Sequence, residues 1–272
     1  MQDRPRFEWL ARAGYAARGV VYILVGGMAL LSTLGGGEAD SRSALELVLD
    51  TPFGAIWLGL IGIGLIGFIV WRLAQAFLNA DQHENDAQGL VIRAALLVSA
   101  ATYTGLASYA IGQALKISFG AGSGNSQESW TAWLMQQPFG PYLVAAVGLA
   151  VIGAGMVQIV KGVTRRYEKF VRISGRHKRL LELFCIYGLA ARGAIFVILG
   201  GFFLYAAWAV DPGQAGSTAD ALAWVRGLPF GGLLYALAAL GLFAFGAYGV
   251  VEARYRIIRE PSLSDAKHAL RT

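Results

Sequence analysis

Three times in 272 residues a Pro-Phe-Gly tripeptide precedes an apolar run of membrane length, and that recurrence leaves the chain few folds to choose from. The motif stands at Pro52-Phe53-Gly54, Pro138-Phe139-Gly140 and Pro229-Phe230-Gly231, at intervals of 86 and 91 residues. Self-similarity at such a period marks a repeated supersecondary unit. Each unit carries a second apolar run before its motif, giving six runs near residues 15–34, 54–78, 90–115, 140–163, 184–209 and 231–252. A bilayer core about 30 Å thick needs about 20 apolar residues per helix, and every run meets that length. Lipid offers the backbone no hydrogen-bond partners, so these glycine-containing runs are read as helices.

The expected fold is therefore all-α. It is a polytopic membrane protein of six transmembrane helices, built as three tandem helical hairpins, with residues 1–272 forming one membrane domain. Repeat one covers about residues 10–80, repeat two about 89–165 and repeat three about 183–255, with a basic connector at about 161–182. Two spans per unit leave every unit in the same orientation, which predicts a pseudo-threefold bundle about an axis along the membrane normal. Five and four residues before each proline stand Leu47 and Val48, Trp133 and Leu134, Trp224 and Val225, with Leu45 and Leu222 at minus seven. That apolar edge predicts a short helix lying in the outer interface, where tryptophan is favoured. The first span follows Arg4, Arg6, Arg12 and Arg18 without a small-residue cleavage site, so it reads as a retained helix.

Charge sets the orientation. Lys161, Arg165, Arg166, Lys169, Arg172, Arg176, Lys178 and Arg179 crowd the connector, and Arg254, Arg256, Arg259, Lys267 and Arg271 the tail. The loops within repeats hold Arg42, Lys116 and Arg226 against seven acids. By the positive-inside rule both termini and the connectors are cytoplasmic and the Pro-Phe-Gly loops face out. The net charge of +6 is thus a topology signal with no nucleic-acid partner implied; the expected partner is the bilayer, with anionic lipids at the cytoplasmic face.

Gly14-Tyr15-Ala16-Ala17-Arg18-Gly19 aligns with Gly188-Leu189-Ala190-Ala191-Arg192-Gly193, and eight residues after each arginine come Gly26-Gly27 and Gly200-Gly201. Repeat two places Ser99, Ala100 and Ala107-Ser108 at these positions. Small residues permit close helix crossings in lipid, and the pairs are assigned to such crossings. Twenty-two residues after each motif phenylalanine stand Gln75, Lys161 and Glu252, at about the depth of Arg18, Ser99 and Arg192. The pairs expected within repeats are Arg18 with Gln75, Ser99 with Lys161, and Arg192 with Glu252, serving either as interhelical ties or as a polar ring at an inner mouth. In the third span Ala100, Thr104, Ser108 and Gly112 recur every four residues as a small and hydroxylated face, expected to pack on another helix or, alternatively, to line an axial pore.

Chemistry-bearing residues are sparse at depth. His83, His177 and His268 lie in connectors or the tail, no acid lies mid-span, and Cys185 is the single cysteine. No catalytic residue, metal site or cofactor is expected, and a buried proton relay is disfavoured. With Ala-Ala-Arg-Gly opening a first span and Pro-Phe-Gly before a second, the triple hairpin resembles the bacterial membrane proteins of the domain of unknown function 1206 family. The resemblance implies a multi-pass protein of the bacterial cytoplasmic membrane and supplies no reaction or ligand. Two functions follow as expectations. The leading one is a non-enzymatic membrane protein that passes or binds a small solute, ion or lipid; the alternative is a scaffold engaging anionic lipids or partner proteins.

Overall fold

The computed structural model describes residues 4–35, 41–78, 87–117, 126–166 and 178–256. His83, His177 and His268, and residues 167–177 of the basic connector, lie outside the described residues. The described chain is helical. Helices α1 (Arg4–Gly35) and α3 (Gly54–Phe77) form repeat one, α4 (Ala87–Leu115) and α6 (Gly140–Val163) repeat two, and α7 (Lys178–Ala209) and α9 (Gly231–Tyr255) repeat three. All six contain a segment long and apolar enough to cross a membrane. Three short helices, α2 (Ser41–Leu49), α5 (Ser126–Met135) and α8 (Thr218–Arg226), precede the motifs. Their inner edges are sealed, as at Leu45 and Leu222, while Leu47, Trp133 and Trp224 are exposed.

Each Pro-Phe-Gly is the hinge between short helix and span. Phe53, Phe139 and Phe230 take left-handed φ values of 62°, 62° and 59° at the helix starts, a conformation that costs a non-glycine residue about 1–2 kcal/mol. The following glycine is obligatory for a steric reason: a methyl on Gly54, Gly140 or Gly231 would collide with the carbonyl of Leu49, Met135 or Arg226. The sharp turn leaves all three phenylalanines exposed.

The strongest packing runs between repeats. The second span of each lies along the first span of the next, α3 on α4 and α6 on α7, and α9 returns to α1, so the three junctions share one pseudo-threefold arrangement. Glycines make two of these approaches close. A methyl on Gly19 would stand 2.8 Å from the Gly246 carbonyl oxygen, and one on Gly246 2.7 Å from that of Gly19. Gly193 and Gly155 mirror this at α6 and α7, each 2.6 Å from the other's oxygen. Both pairs join the residue after one repeat's arginine to the residue sixteen after the neighbouring repeat's motif phenylalanine; at α4 and α3 those positions hold Ala100 and Ile69. Of the small pairs, Gly26 and Gly200 sit at crossings, while Gly27 and Gly201 face open space.

Within repeats the hairpins differ. In repeats one and three, Gly14 and Gly188 press on the backbone of Phe68 and Phe245, where a methyl would come 2.6 Å from the Cα, and Gly64 and Gly241 receive the Cβ of Ala17 and Ala191. Repeat two has Ala95, Ala154, Ala150 and Val98 at these positions. With neither glycine present, α4 and α6 do not pack along one another: Val98 is 66% exposed, and Ala95 and Ala150 are exposed too. The second repeat is splayed, held by its neighbours instead of by itself.

Candidate functional site

The interior of the bundle is aromatic and cationic. Residues four after Arg18, Ser99 and Arg192 are Tyr22, Tyr103 and Phe196. Tyr22 packs against the cluster that contains Tyr103, and the Arg192 guanidinium lies 5.3 Å from the Tyr22 ring centroid and 4.1 Å from that of Phe196. Tyr22 also meets Phe245 edge-on at 4.8 Å, and Phe68 meets Tyr103 likewise at 4.8 Å. Equivalent first-span positions thus bring aromatic rings together inside the bundle.

At the end of the bundle away from the Pro-Phe-Gly hinges, Glu252 holds two arginines. Arg18 donates through Nη2 to Oε2, and Arg256 donates through Nη1 to Oε1 at 2.6 Å; all three side chains are buried. The Arg18 guanidinium is 5.1 Å from the centroids of both Phe68 and Phe245, and 5.3 Å from Tyr15. Trp71 Nε1 donates to the Tyr15 hydroxyl at 2.8 Å, and Arg72 stacks on Phe68 while donating to Gln75 Oε1 at 3.1 Å. Arg192 differs in kind. Its Nη1 donates to Gln158 Oε1 at 2.5 Å and its Nε to the Tyr22 hydroxyl at 3.1 Å, both neutral acceptors.

These partners correct the expected pairing. Arg18 turns to Glu252 rather than Gln75, and Arg192 to Gln158 rather than Glu252, so both ties join neighbouring repeats. Ser99 and Lys161 stand half-buried on α4 and α6, the two spans that do not pack together. Equal depth places residues at one level without saying which helices touch there, and the glycine junctions bring α9 to α1 and α6 to α7. The candidate axial face also divides. Ala100 and Gly112 are buried, Ser108 is half-buried, and Thr104 is exposed with its hydroxyl donating to the Ala100 carbonyl at 2.9 Å. A four-residue step advances about 40° around an α-helix beyond a full turn, so the stripe leaves the interface; the buried edge runs through Leu96, Ala100, Tyr103, Ala107 and Ala110 instead. Gly112 borders a cleft of about 560 Å³ with Leu49, Ala55, Gln113, Lys116 and Ile117.

A repeated arginine tie escaped the sequence reading. Arg12 and Arg93 stand six residues before Arg18 and Ser99. Arg12 Nη1 donates to the carbonyls of Ala253 and Arg254 at 2.7 and 2.8 Å, and Arg93 donates to those of Ala76 and Phe77 at 2.6 and 3.5 Å. The acceptors are the residues 23 and 24 after the motif phenylalanines Phe230 and Phe53. Each arginine therefore caps the unpaired C-terminal carbonyls of the neighbouring repeat's second span, where a cation also meets the negative end of the helix dipole. An alignment carried six residues further upstream would have exposed the equivalence.

The Domain of Unknown Function (DUF1206) model matches residues 13–79, 94–165 and 187–256. The chain belongs to this family. A relative from Bacillus subtilis (strain 168), "Uncharacterized protein YxxB", is 34% identical over 260 residues, covering 94% of this chain and 93% of its own. No solved structure matches. Membership in the DUF1206 family agrees with the three-unit architecture and brings no substrate, cofactor or catalytic residue with it. Among the described residues no group of three His, Cys, Asp or Glu side chains is placed to hold a metal ion.

Proposed function

We propose that this protein is a non-catalytic membrane protein that binds a lipid-class ligand from the side, at its splayed second repeat, and does not pass a solute along its axis. The observation that carries this reading is the contrast between an aromatic interior and an unpacked hairpin. Tyr22 and Phe196 meet around Arg192 in the interior and Tyr22 packs against the cluster of Tyr103, whereas only 22% and 17% of the apolar stretches of α4 and α6 are buried, against 44% and 50% in repeat one. A helix pair held apart by its neighbours leaves a lateral groove open to the acyl region, and what fits such a groove arrives through the membrane.

The setting is the bacterial cytoplasmic membrane with both termini inside, as the distribution of lysine and arginine supports. Two measurements on the full chain test the reading together. Reconstituted in liposomes, the protein should dissipate no gradient of small solutes or ions; purified from membranes, it should retain lipid through detergent exchange. Flux of a small solute would favour the axial alternative. Neither flux nor retained lipid would favour a scaffold that works through its basic inner face.

A further inference from the structure

Arg18 and Arg192 occupy the same position in the repeat, and the fold treats them differently. Arg18 is 5% exposed and meets Glu252, twenty-two residues after Phe230. Arg192 is half-buried, and its hydrogen bonds go to an amide and a phenol. The residue twenty-two after Phe139, which would supply the carboxylate, is Lys161. At this junction the acid is replaced by a second cation. Glu182 lies ten residues from Arg192 along α7, about 15 Å at 1.5 Å per residue, and Glu252 is engaged by Arg18 and Arg256. A guanidinium in a membrane span held only by neutral groups is costly, and an anion is what it lacks.

We infer that the phosphate of an anionic phospholipid occupies this place, bound by Arg192, with its acyl chains along the groove between α4 and α6. This inference rests on the lateral-binding reading above and gives the ligand its charge. Arg192 bonds at the level of Gln158, five residues before α6 ends at Val163, so the phosphate sits about 8 Å below the inner end of that helix. Lys161 stands one turn nearer that end than Gln158, on the path a headgroup would take inward. The groove walls are apolar: Ala95 and Val98 on α4, and Ala150 and Val157 on α6, are exposed, whereas Gly14, Ala17, Gly64 and Trp71 at the same positions of repeat one are buried. A doubly hydrogen-bonding guanidinium suits a phosphate, and the open hairpin admits the chains that a free ion does not need.

The test uses the full chain in nanodiscs of phosphatidylglycerol and phosphatidylethanolamine, with bound lipid read by native mass spectrometry. Phosphatidylglycerol should be retained over phosphatidylethanolamine by about tenfold: both offer the phosphate, but phosphatidylethanolamine adds an ammonium that the cationic site repels. Gln158→Glu builds the missing carboxylate beside Arg192; it should abolish that preference while leaving the thermal midpoint unchanged or raised. Arg192→Gln should abolish it as well, and Arg226→Gln, at the outer face, should not. Because Gln158→Glu adds a partner, its result does not depend on a variant that fails to fold. Retention of both lipids without preference, or a preference that survives Gln158→Glu, overturns the anionic site and leaves lateral binding standing. Loss of all bound lipid from the wild type overturns lateral binding itself. Inorganic phosphate that stabilises lipid-free protein in neutral detergent as much as phosphatidylglycerol does, and loses that effect in Gln158→Glu, assigns the site to a free ion and overturns the lipid.

Discussion

Glu252→Gln should be among the most damaging single changes outside the helix crossings. The carboxylate is 3% exposed and serves Arg18 and Arg256, whose side chains are 7% and 5% exposed. Its neutralisation takes the shared carboxylate from two buried guanidiniums, and removing one partner of a buried pair costs about 3–5 kcal/mol. Arg18→Met should cost less, about 2–3 kcal/mol, because Glu252 keeps Arg256 and the loss reduces to one charge-assisted hydrogen bond and the ring contacts. In the double variant Arg18 is no longer stranded, so the combined loss should fall about 2 kcal/mol short of the sum. Unfolding in bicelles followed by tryptophan fluorescence reads this directly, since Trp71 bonds Tyr15 within the same cluster. The matching cycle of Arg192→Met with Glu252→Gln should be additive within about 0.5 kcal/mol, because those residues share no bond. Additivity in the first cycle, or coupling in the second, would refute the inter-repeat pairing.

Arg12→Gln and Arg93→Gln should each cost about 1–3 kcal/mol, and independently, since each uncaps a different helix end; the same unfolding assay checks both. Gly193→Ala should destabilise by about 1–3 kcal/mol through its clash with the Gly155 carbonyl, whereas Gly201→Ala, which meets open space, should stay within about 0.5 kcal/mol or stabilise the helix. Nitroxides at Val98 and Ala150 should collide with membrane-dissolved oxygen as freely as one at Leu149; protection at both would mean that repeat two closes like its neighbours. Cysteines at Gln127 and Gln214 in a Cys185-free background should label from outside intact cells and one at Ser174 should not, the reverse result overturning the assigned orientation.

Sequence alone determined what depends on distance along the chain. Six membrane-length runs, three repeats and a short amphipathic helix before each Pro-Phe-Gly follow from hydropathy, length and periodicity, which act locally and survive any arrangement of the helices. The same reasoning placed Arg18, Arg192, Gln75, Lys161 and Glu252 at one level, because rise per residue converts position into depth. Partner choice needed the tertiary structure. Which residues meet at that level depends on which helices are neighbours, and this was decided at the Gly19–Gly246 and Gly193–Gly155 crossings, whose members lie hundreds or tens of residues apart. The stripe from Ala100 to Gly112 misled for a related reason: a step of four keeps one heading only briefly on a helix of 3.6 residues per turn.

Repeat two shows both sides of this division. Its missing glycines, Ala95 for Gly14 and Gly188, and Ala150 for Gly64 and Gly241, are plain in an alignment of the chain with itself. What these changes do to α4 and α6 became legible only once the closed hairpins supplied the distances: a crossing that leaves 2.6 Å for an added carbon leaves no room for alanine, and Val98 adds bulk where the closed hairpins have alanine. Composition and spacing therefore decide that a helix spans the membrane and how deep its charges lie, whereas van der Waals contact between backbones, which no local pattern encodes, decides whom it touches.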